Sequence, residues 1–384
     1  MRKARYGALG LMLVFGILFT GCNAGGGRPV GVASGSDGNS LSSVSLDDMQ
    51  NAACQTPELS AGNILQLEDG FAAARFEGNF GFPDFLEQGG ASSDREVAAF
   101  LAGFLPQLEE QSDLTGGAFG CSTLAAATPE GDVLFGRNFD WETCSALVVE
   151  AHPEDGYASI STVNIDFIVQ STGGALDAGS GMDPVKILAA LYAPLDGMNE
   201  AGLAVSVNMI QDRATIDQNT GRPDLTTTTA VRLLLDKAAN VDEALSLLEQ
   251  HDLHASMGYM IHFALADADG RSVVVEYVDN EMTVTETPVV TNFYLSEGKK
   301  YGIGTQQSHE RYDILTQLLS TSPAMTAEEM RDALDSVSKD NFGEFESTEW
   351  SIVMNLTTDE ACYYHRENYG QGYLFRLEKE EDAG

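Results

Sequence analysis

The sequence predicts an α+β fold in which sheets are covered by layers of helix, and three observations carry that reading. From residue 121 onward short apolar runs alternate with turn signals, the pattern of strands. Helical periodicity interrupts them at Thr227 to Ala239 and Val241 to Gln250, and again near Arg311 and Thr326. Forty-three per cent of the residues are hydrophobic, enough for a real core in one large or two small domains.

The first 21 residues carry Arg2, Lys3 and Arg5, an apolar run from Ala8 to Phe19, and Thr20-Gly21 before Cys22. The run is too short to span a bilayer and a small-residue cut site follows it, the pattern of a secretory signal peptide. A cysteine directly after Leu18-Phe19-Thr20-Gly21 resembles the lipobox of bacterial lipoproteins. That resemblance implies lipidation of Cys22 and an exported, envelope-anchored lipoprotein. The other reading is a secreted protein with a chance cysteine at the cut. Residues 22–46 are mostly Gly, Ser and Asn and cannot bury a core, which makes them a flexible tether.

Between Ile64 and Leu108 apolar residues recur at helical spacing, and Ser92-Ser93-Asp94 caps the stretch containing Val97, Phe100, Leu101, Phe104 and Leu105. Residues 47–120 therefore read as a mainly helical segment, closed by the glycine-rich joint Gly116-Gly117-Ala118-Phe119-Gly120. Ser122 to Ala127 and Val133 to Asn138 flank Pro129-Glu130-Gly131-Asp132 as a hairpin. Tyr157 to Gln170 and Gly202 to Ile210 are further strands. Asn240 caps the second of the two central helices, and a three-strand meander runs from Met257 to Asn292. A helix from Arg311 to Leu319 and another opened by the capping box Thr326-x-x-Glu329 precede strands at Trp350 to Leu356, Ala361 to His365 and Gly372 to Leu377. No internal repeat or heptad run is evident.

With 58 acidic and 21 basic residues the chain carries a net charge of −37. Loss of the first 21 residues removes three of the cations and leaves it near −40. Such a surface repels phosphate backbones, which argues against nucleic-acid binding, and it repels anionic headgroups, which leaves the lipid anchor as the one contact with membrane. Of the five cysteines, Cys22 and Cys121 have other candidate duties; Cys54, Cys144 and Cys362 can form at most one bridge, and spacing does not choose it.

Cys121 stands at the head of the hairpin whose second strand ends in Arg137-Asn138-Phe139-Asp140. A thiol with a free pKa of roughly 8.5 needs a base to attack a carbonyl at neutral pH. Histidine gives little support: His251 and His254 close a helix, His152 precedes a proline, and His262 and His365 lie in apolar strand patterns, leaving His309 alone in a polar stretch. His251-Asp252-Leu253-His254 has no partner cluster with zinc-like spacing, and no glycine run forms a phosphate loop or dinucleotide fingerprint, so neither metal nor cofactor is expected. If the chain is cut before Cys121, the α-amine of Cys121, with a pKa of about 7.7 to 8.0, can take the thiol proton itself. Asp140 would then bind the α-ammonium and Arg137 would lower the thiol pKa.

Cys121-x(15)-Arg137-Asn138-x-Asp140 resembles the opening of the N-terminal-nucleophile hydrolases that cleave linear amides: choloylglycine hydrolases, penicillin V acylases, acid ceramidase, the N-acylethanolamine amidase and the isopenicillin N acyltransferases. Asp196-Gly197-Met198-Asn199-Glu200-Ala201-Gly202-Leu203-Ala204 is similar to their "N-E-x-G-L-A" segment, with Asn208 where the family places an oxyanion-hole asparagine. Val289-Val290-Thr291-Asn292 resembles the strand bearing the second asparagine, and Ser308-His309-Glu310-Arg311-Tyr312 the segment with the late arginine.

The resemblance covers residue 121 to the C-terminus and implies an αββα sandwich, two stacked antiparallel sheets between helical layers. It implies a thioester-forming amidase acting on a small N-acyl amide without cofactor or metal, with Cys121, Arg137, Asp140, Asn208, Asn292 and Arg311 as its site. The long segment before Cys121 is similar to the removable segments of the ceramidase and acyltransferase branches. Residues 23–120 would then be a non-catalytic piece holding the catalytic one by non-covalent packing alone. An N-acyltransferase and an inactive binding lipoprotein are the alternatives. Trp141, Phe139, Met198 and Met209 are candidates to line the acyl pocket, although large apolar residues near strand ends are more often core. Homo-oligomerisation stays open.

Overall fold

The computed structural model describes residues 54–104, 120–171, 182–341 and 346–377. The signal sequence, Cys22, the tether and the glycine-rich joint up to Phe119 lie outside the described residues. All described residues belong to one compact unit, 51–384.

Ahead of Cys121 come strands β1 (Ile64–Glu68) and β2 (Phe71–Gly78) and helices α1 (Phe82–Glu87) and α2 (Asp94–Phe104). The hairpin follows as β3 (Gly120–Ala127) and β4 (Val133–Trp141), then β5 (Ala146–Pro153), β6 (Ser159–Asn164), α3 (Ile165–Ser171) and α4 (Asp183–Leu191). After β7 (Asp196–Asn199), β8 (Leu203–Met209) and β9 (Asp224–Thr226) come α5 (Thr227–Lys237) and α6 (Val241–Glu249), and then β10 (Asp252–His254), which pairs with β9. The meander is β11 (Ile261–Asp267), β12 (Ser272–Val278) and β13 (Glu281–Glu286), and β14 (Val289–Val290) leads on to α7 (Gln306–Thr321) and α8 (Ala327–Asp335). Strands β15 (Ser347–Asn355), β16 (Glu360–His365) and β17 (Tyr373–Arg376) close the chain.

These strands form a nine-stranded sheet, ordered β1-β2-β5-β6-β7-β8-β11-β12-β13, and a six-stranded sheet, ordered β14-β3-β4-β15-β16-β17. Alternation along each strand sorts the apolar side chains into three layers. Phe135, Phe139, Trp350, Ile352 and Met354 of the smaller sheet meet Val148, Ile160, Met198, Ala264 and Val274 of the larger one. The far face of the larger sheet, with Leu147, Val149, Val205 and Phe263, packs on Ile187, Leu191, Leu234 and Ala244 of α4, α5 and α6. The far face of the smaller sheet, with Leu124, Leu134 and Val353, packs on Leu315, Met330 and Leu334 of α7 and α8. The molecule is therefore an αββα sandwich.

Capping chemistry sets the helices as the sequence predicts. The Asn240 side chain accepts from Glu243 N at 3.0 Å, and Thr326 and Glu329 form a reciprocal capping box that starts α8.

The segment before Cys121 is where the structure departs from expectation. Residues 64–78 are strands, not helix, and β2 pairs in parallel with β5 inside the nine-stranded sheet. The reason is two-sided burial: Phe71 and Ala73 join the layer between the sheets while Ala72 and Ala74 join the helical side. A strand apolar on both faces loses the alternation that would mark it. Similarly, 157–170 is not one strand but β6 running straight into α3.

Cys54 and Cys362 form the disulfide, and Cys144 stays a buried thiol. The bridge spans 308 residues of sequence and ties the pre-Cys121 segment covalently to β16. Cys362→Ser should lower the unfolding free energy by roughly 2–4 kcal/mol, read from urea denaturation. An unchanged midpoint would show that packing alone fixes the N-terminal segment.

Candidate active site

The hairpin register decides what meets Cys121. Cys121 pairs with Phe139, Thr123 with Arg137 and Gly120 with Asp140, so Cys121 and Arg137 share the face that looks toward the larger sheet. The Asp140 carboxylate belongs to the opposite face, toward α7. Two residues predicted to act together on the cysteine thus reach it from opposite sides of one sheet.

On the inter-sheet face, Arg137 is fully buried and Nη2 lies 3.9 Å from the Cys121 thiol. Its Nε lies 2.5 Å from Asp196 Oδ2, and Nη1 donates to Val207 O and Asn208 Oδ1, each at 3.1 Å. Trp350 Nε1 also donates to Asp196 Oδ2, at 3.0 Å. Asp196 comes from β7 and Asn208 from β8, neighbouring strands joined by the turn Asn199 to Gly202. Gly202 has φ +90, and a Cβ there would meet Ala268 and the Leu356 carbonyl at 2.7 Å, so only glycine fits. The Asn199 side chain donates to Leu235 O and Ala238 O and accepts from Leu203 N, while Glu200 accepts from Ala158 N. The "N-E-x-G-L-A" segment is therefore the turn that sets Asp196 and Asn208 side by side.

On the other face, Arg311 of α7 gathers the main chain of the cysteine. Nη1 donates to Cys121 O at 2.8 Å, to Ser122 Oγ at 2.6 Å and to Asp140 Oδ2 at 3.4 Å, and Nη2 donates to Asn292 Oδ1 at 2.7 Å. Asn292 Oδ1 also accepts from Cys121 N at 2.7 Å. Thr348 Oγ donates to Asp140 Oδ1 at 2.8 Å, and Lys339 Nζ lies 3.6 Å from Asp140 Oδ2. All six predicted residues, Cys121, Arg137, Asp140, Asn208, Asn292 and Arg311, thus converge on one buried centre.

The two asparagines differ in what they can offer. Two donors fix each amide: Asn292 Oδ1 faces Cys121 N and Arg311, and Asn208 Oδ1 faces Arg137 and Ser206 Oγ at 2.8 Å. Asn292 Nδ2 then donates to Met209 O at 2.7 Å, whereas Asn208 Nδ2 is buried without a hydrogen-bond partner in the structure. An unpaired buried N–H costs free energy, and Asn208 Nδ2 is one of several such atoms among the described residues.

Burial pushes the Cys121 thiol above its ordinary pKa, and Arg137, the Asp140 backbone N–H and Arg311 pull against that shift. Burial likewise raises Asp196, with the Arg137 guanidinium opposing it. The six imidazoles bond elsewhere. His262 sits between Glu276 at 3.0 Å and Thr291 O at 2.7 Å, and so anchors the residue before Asn292. His309 bonds Gly302 O and stacks on Phe293. His152 faces Glu150, His251 faces Leu247 O, His254 faces Asp217 and Asp224, and His365 faces Glu68. Among the described residues no group of three or more His, Cys, Asp or Glu is placed to hold a metal ion.

Residues 189–368 match the model of one protein family. The family is acyl-coenzyme A:6-aminopenicillanic acid acyl-transferase. The match takes in just under half of the chain, including Asp196, Asn208, Asn292 and Arg311 but not Cys121. It agrees with the likeness read from the motifs: an acyl-transfer family that joins amide hydrolases and acyltransferases. No curated protein matches. Among solved structures, a mutant and a variant of the conjugated bile acid hydrolase from Clostridium perfringens are similar, at TM-scores of 0.48 and 0.49 and 17% and 16% identity, each covering 67% of this chain and 92% of the other. Penicillin V acylase from Agrobacterium tumefaciens is similar at a TM-score of 0.47 and 19% identity, over 67% of this chain and 86% of its own.

Sequence reading did not single out Asp196, Ser206, Ser308, Lys339 or Thr348 as site residues. Asp196 stood inside the quoted motif, and its burial next to an arginine strand was the available signal. Ser206 lies two residues from Asn208 and Ser308, whose Oγ accepts from Asn292 N, stood inside the quoted arginine segment, whereas Thr348 meets Asp140 across 208 residues of sequence. Of the four pocket candidates, Phe139 stacks on Trp350 at 3.9 Å and, with Met198 and Trp141, belongs to the layer between the sheets. Met209 is partly exposed and abuts Asn292.

Asp196→Asn removes the carboxylate facing a guanidinium that has no water to turn to, and should destabilise the protein by about 3–5 kcal/mol. Urea unfolding measures it; a loss under 1 kcal/mol would show that Val207 O and Asn208 suffice to hold Arg137.

Proposed function

We propose that this protein is a linear-amide hydrolase that works through an N-terminal cysteine, matured by cleavage between Gly120 and Cys121. The observation that carries this reading is the convergence on Cys121, with Arg137 Nη2 3.9 Å from its thiol, Asn292 Oδ1 accepting from its nitrogen at 2.7 Å and Arg311 Nη1 donating to its carbonyl at 2.8 Å. The family match over Asn208, Asn292 and Arg311 supports it.

In the uncut chain the Cys121 nitrogen is an amide and cannot act as base. Once freed, the same atom lies against Asn292 Oδ1, with the Asp140 carboxylate on the same side of the strand as Gly120, and can accept the thiol proton. The thiolate attacks the amide carbonyl of the substrate, and the oxygen that becomes negative takes a hydrogen bond from Asn208 Nδ2. Asn292 Nδ2 donates one N–H to Met209 O and has a second N–H with which to join it as a donor. The Cys121 ammonium then protonates the leaving amine. Water adds to the thioester, giving its proton back to the amine, and the carbon–sulfur bond breaks to restore the thiol.

An acyltransferase shares the thioester and differs only in passing the acyl group to an amine. The name of the matched family favours that second reading. An exported lipoprotein anchored at Cys22 favours water, because acyl-CoA donors are cytoplasmic. Graded N-acyl-p-nitroanilides, turned over with and without a millimolar amino-acid acceptor, separate the two: acid product alone means hydrolysis, and N-acylated acceptor in place of acid means transfer.

Asn208→Ala should lower kcat of the folded protein by about 10²–10³-fold and cost about 1–3 kcal/mol of stability, because Arg137 Nη1 and Ser206 Oγ lose their acceptor. Full turnover would remove Asn208 from the reaction.

Cleavage would separate Cys54 from Cys362, so the bridge, and not packing alone, would hold the anchored piece to the catalytic one. The mature protein should run as one band without reductant and as two with it, the larger beginning Cys121-Ser122-Thr123. A single band under both conditions, with an uncut intact mass, would contradict the maturation and favour a binding lipoprotein.

A further inference from the structure

Gly120 has no room for a side chain. A Cβ placed on it would lie 2.2 Å from Lys339 Nζ and 2.6 Å from Asp140 Oδ2. The ammonium of Lys339 is therefore packed against the Gly120 Cα, one bond from the carbonyl carbon that self-cleavage must attack.

Lys339 is 5% exposed, and its placement is fixed from both ends. Its backbone N donates to Thr348 Oγ at 2.9 Å and its carbonyl accepts from Thr348 N at 3.0 Å. At the other end Nζ pairs with Glu346 and lies 3.6 Å from Asp140 Oδ2. A lysine is costly to bury, and the carboxylates of Glu346 and Asp140 lie beside it. Asp140 does not depend on it, because Thr348 and Arg311 already bond both carboxylate oxygens. What Lys339 supplies is a positive charge on the Gly120 side of the bond to be cut.

We propose that Lys339 is a catalytic residue of the self-cleavage, stabilising the charge that develops on the Gly120 carbonyl oxygen and then holding the Gly120 carboxylate that is released. This rests on the maturation proposed above. In the first step Cys121 Sγ bonds to the Gly120 carbonyl carbon, the negative charge passes to the carbonyl oxygen, one residue's Cα away from the Lys339 ammonium, and the carbon–nitrogen bond breaks. The thiol proton ends on the Cys121 nitrogen. In the second step water adds to the thioester, the carbon–sulfur bond breaks, and the Gly120 carboxylate forms as the thiol recovers its proton. Lys339 stays an ammonium throughout. The glycine at 120 is part of the same device, since a methyl group there would push the ammonium away from the carbonyl.

The test follows cleavage of wild type, Lys339→Met and Lys339→Met/Glu346→Gln by intact mass against time. Circular dichroism melts and the Cys54–Cys362 bridge report folding. Wild type should be cut before Cys121, and both variants should fold but be cut at least tenfold more slowly. The double variant removes one charge of each sign, so a lysine needed only to neutralise Glu346 would be dispensable there. Wild-type rate in the single variant, or recovery in the double, overturns the proposal. An uncut wild type overturns the maturation and this step together, whereas a cut wild type with fast variants overturns this step alone. If Lys339→Met does not fold, Gly120→Ala serves instead: at least tenfold slower cleavage supports the proposal and wild-type cleavage overturns it.

Discussion

A guanidinium with no solvent exposure must be neutralised and hydrogen-bonded by the protein, and Arg137 imposes that demand between two sheets. It rises from β4 of the smaller sheet, and its partners Asp196, Val207 O and Asn208 all belong to β7 and β8 of the larger one. Sliding one sheet by a residue would strand the charge in an apolar layer. The apolar contacts of that layer are non-directional and would tolerate several registers; the ion pair tolerates one. The same contact holds Asn208 with its acceptor satisfied and its donor free, and it brings positive charge to the Cys121 thiol. Register of the sandwich and readiness of the site are thus one constraint.

A second arrangement works from the opposite face, where Arg311 of α7 binds the Cys121 carbonyl, Ser122, Asp140 and Asn292 at once. The cysteine is held by its nitrogen, its carbonyl and its thiol, each by a different side chain. His262 and Glu276 support this from behind, because the imidazole bonds Thr291 O and the carboxylate accepts from the backbone of Leu295 and Ser296. Groups so confined do not reorganise as charge develops, which is what electrostatic stabilisation of a transition state requires.

Much of this was legible in the sequence where chemistry is local or the motif is short. The hairpin after Gly120, the caps at Asn240 and Thr326, and Cys121 with Arg137 and Asp140 could be named from residue type and spacing, and Asn208, Asn292 and Arg311 from the resemblance of their segments to a known family. What escaped was set by distant partners. Strand β2 is apolar on both sides, so Phe71 to Ala74 carry no alternation, and only the presence of β5 makes them a strand. Nothing in sequence joined Cys54 to Cys362, nor showed that the Asp140 carboxylate faces α7 while Arg137 faces the other sheet. Lys339 stood in a polar stretch after α8 and became significant only beside the Gly120 backbone. Nor did the sequence show that Asn292 Nδ2 donates to Met209 O while Asn208 Oδ1 accepts from Arg137 and Ser206.

The central claim is that an acyl group passes through the thiol of Cys121, and direct observation of that adduct tests it best. The protein would be mixed with an N-acyl-p-nitroanilide that it turns over, quenched in acid within one turnover, reduced and weighed intact, with the labelled peptide then mapped. The account predicts that the fragment starting at Cys121 gains the mass of the acyl group, that the gain lies on Cys121, and that hydroxylamine removes it. Turnover with no acyl mass on that fragment, or acyl carried by any other residue, would contradict it.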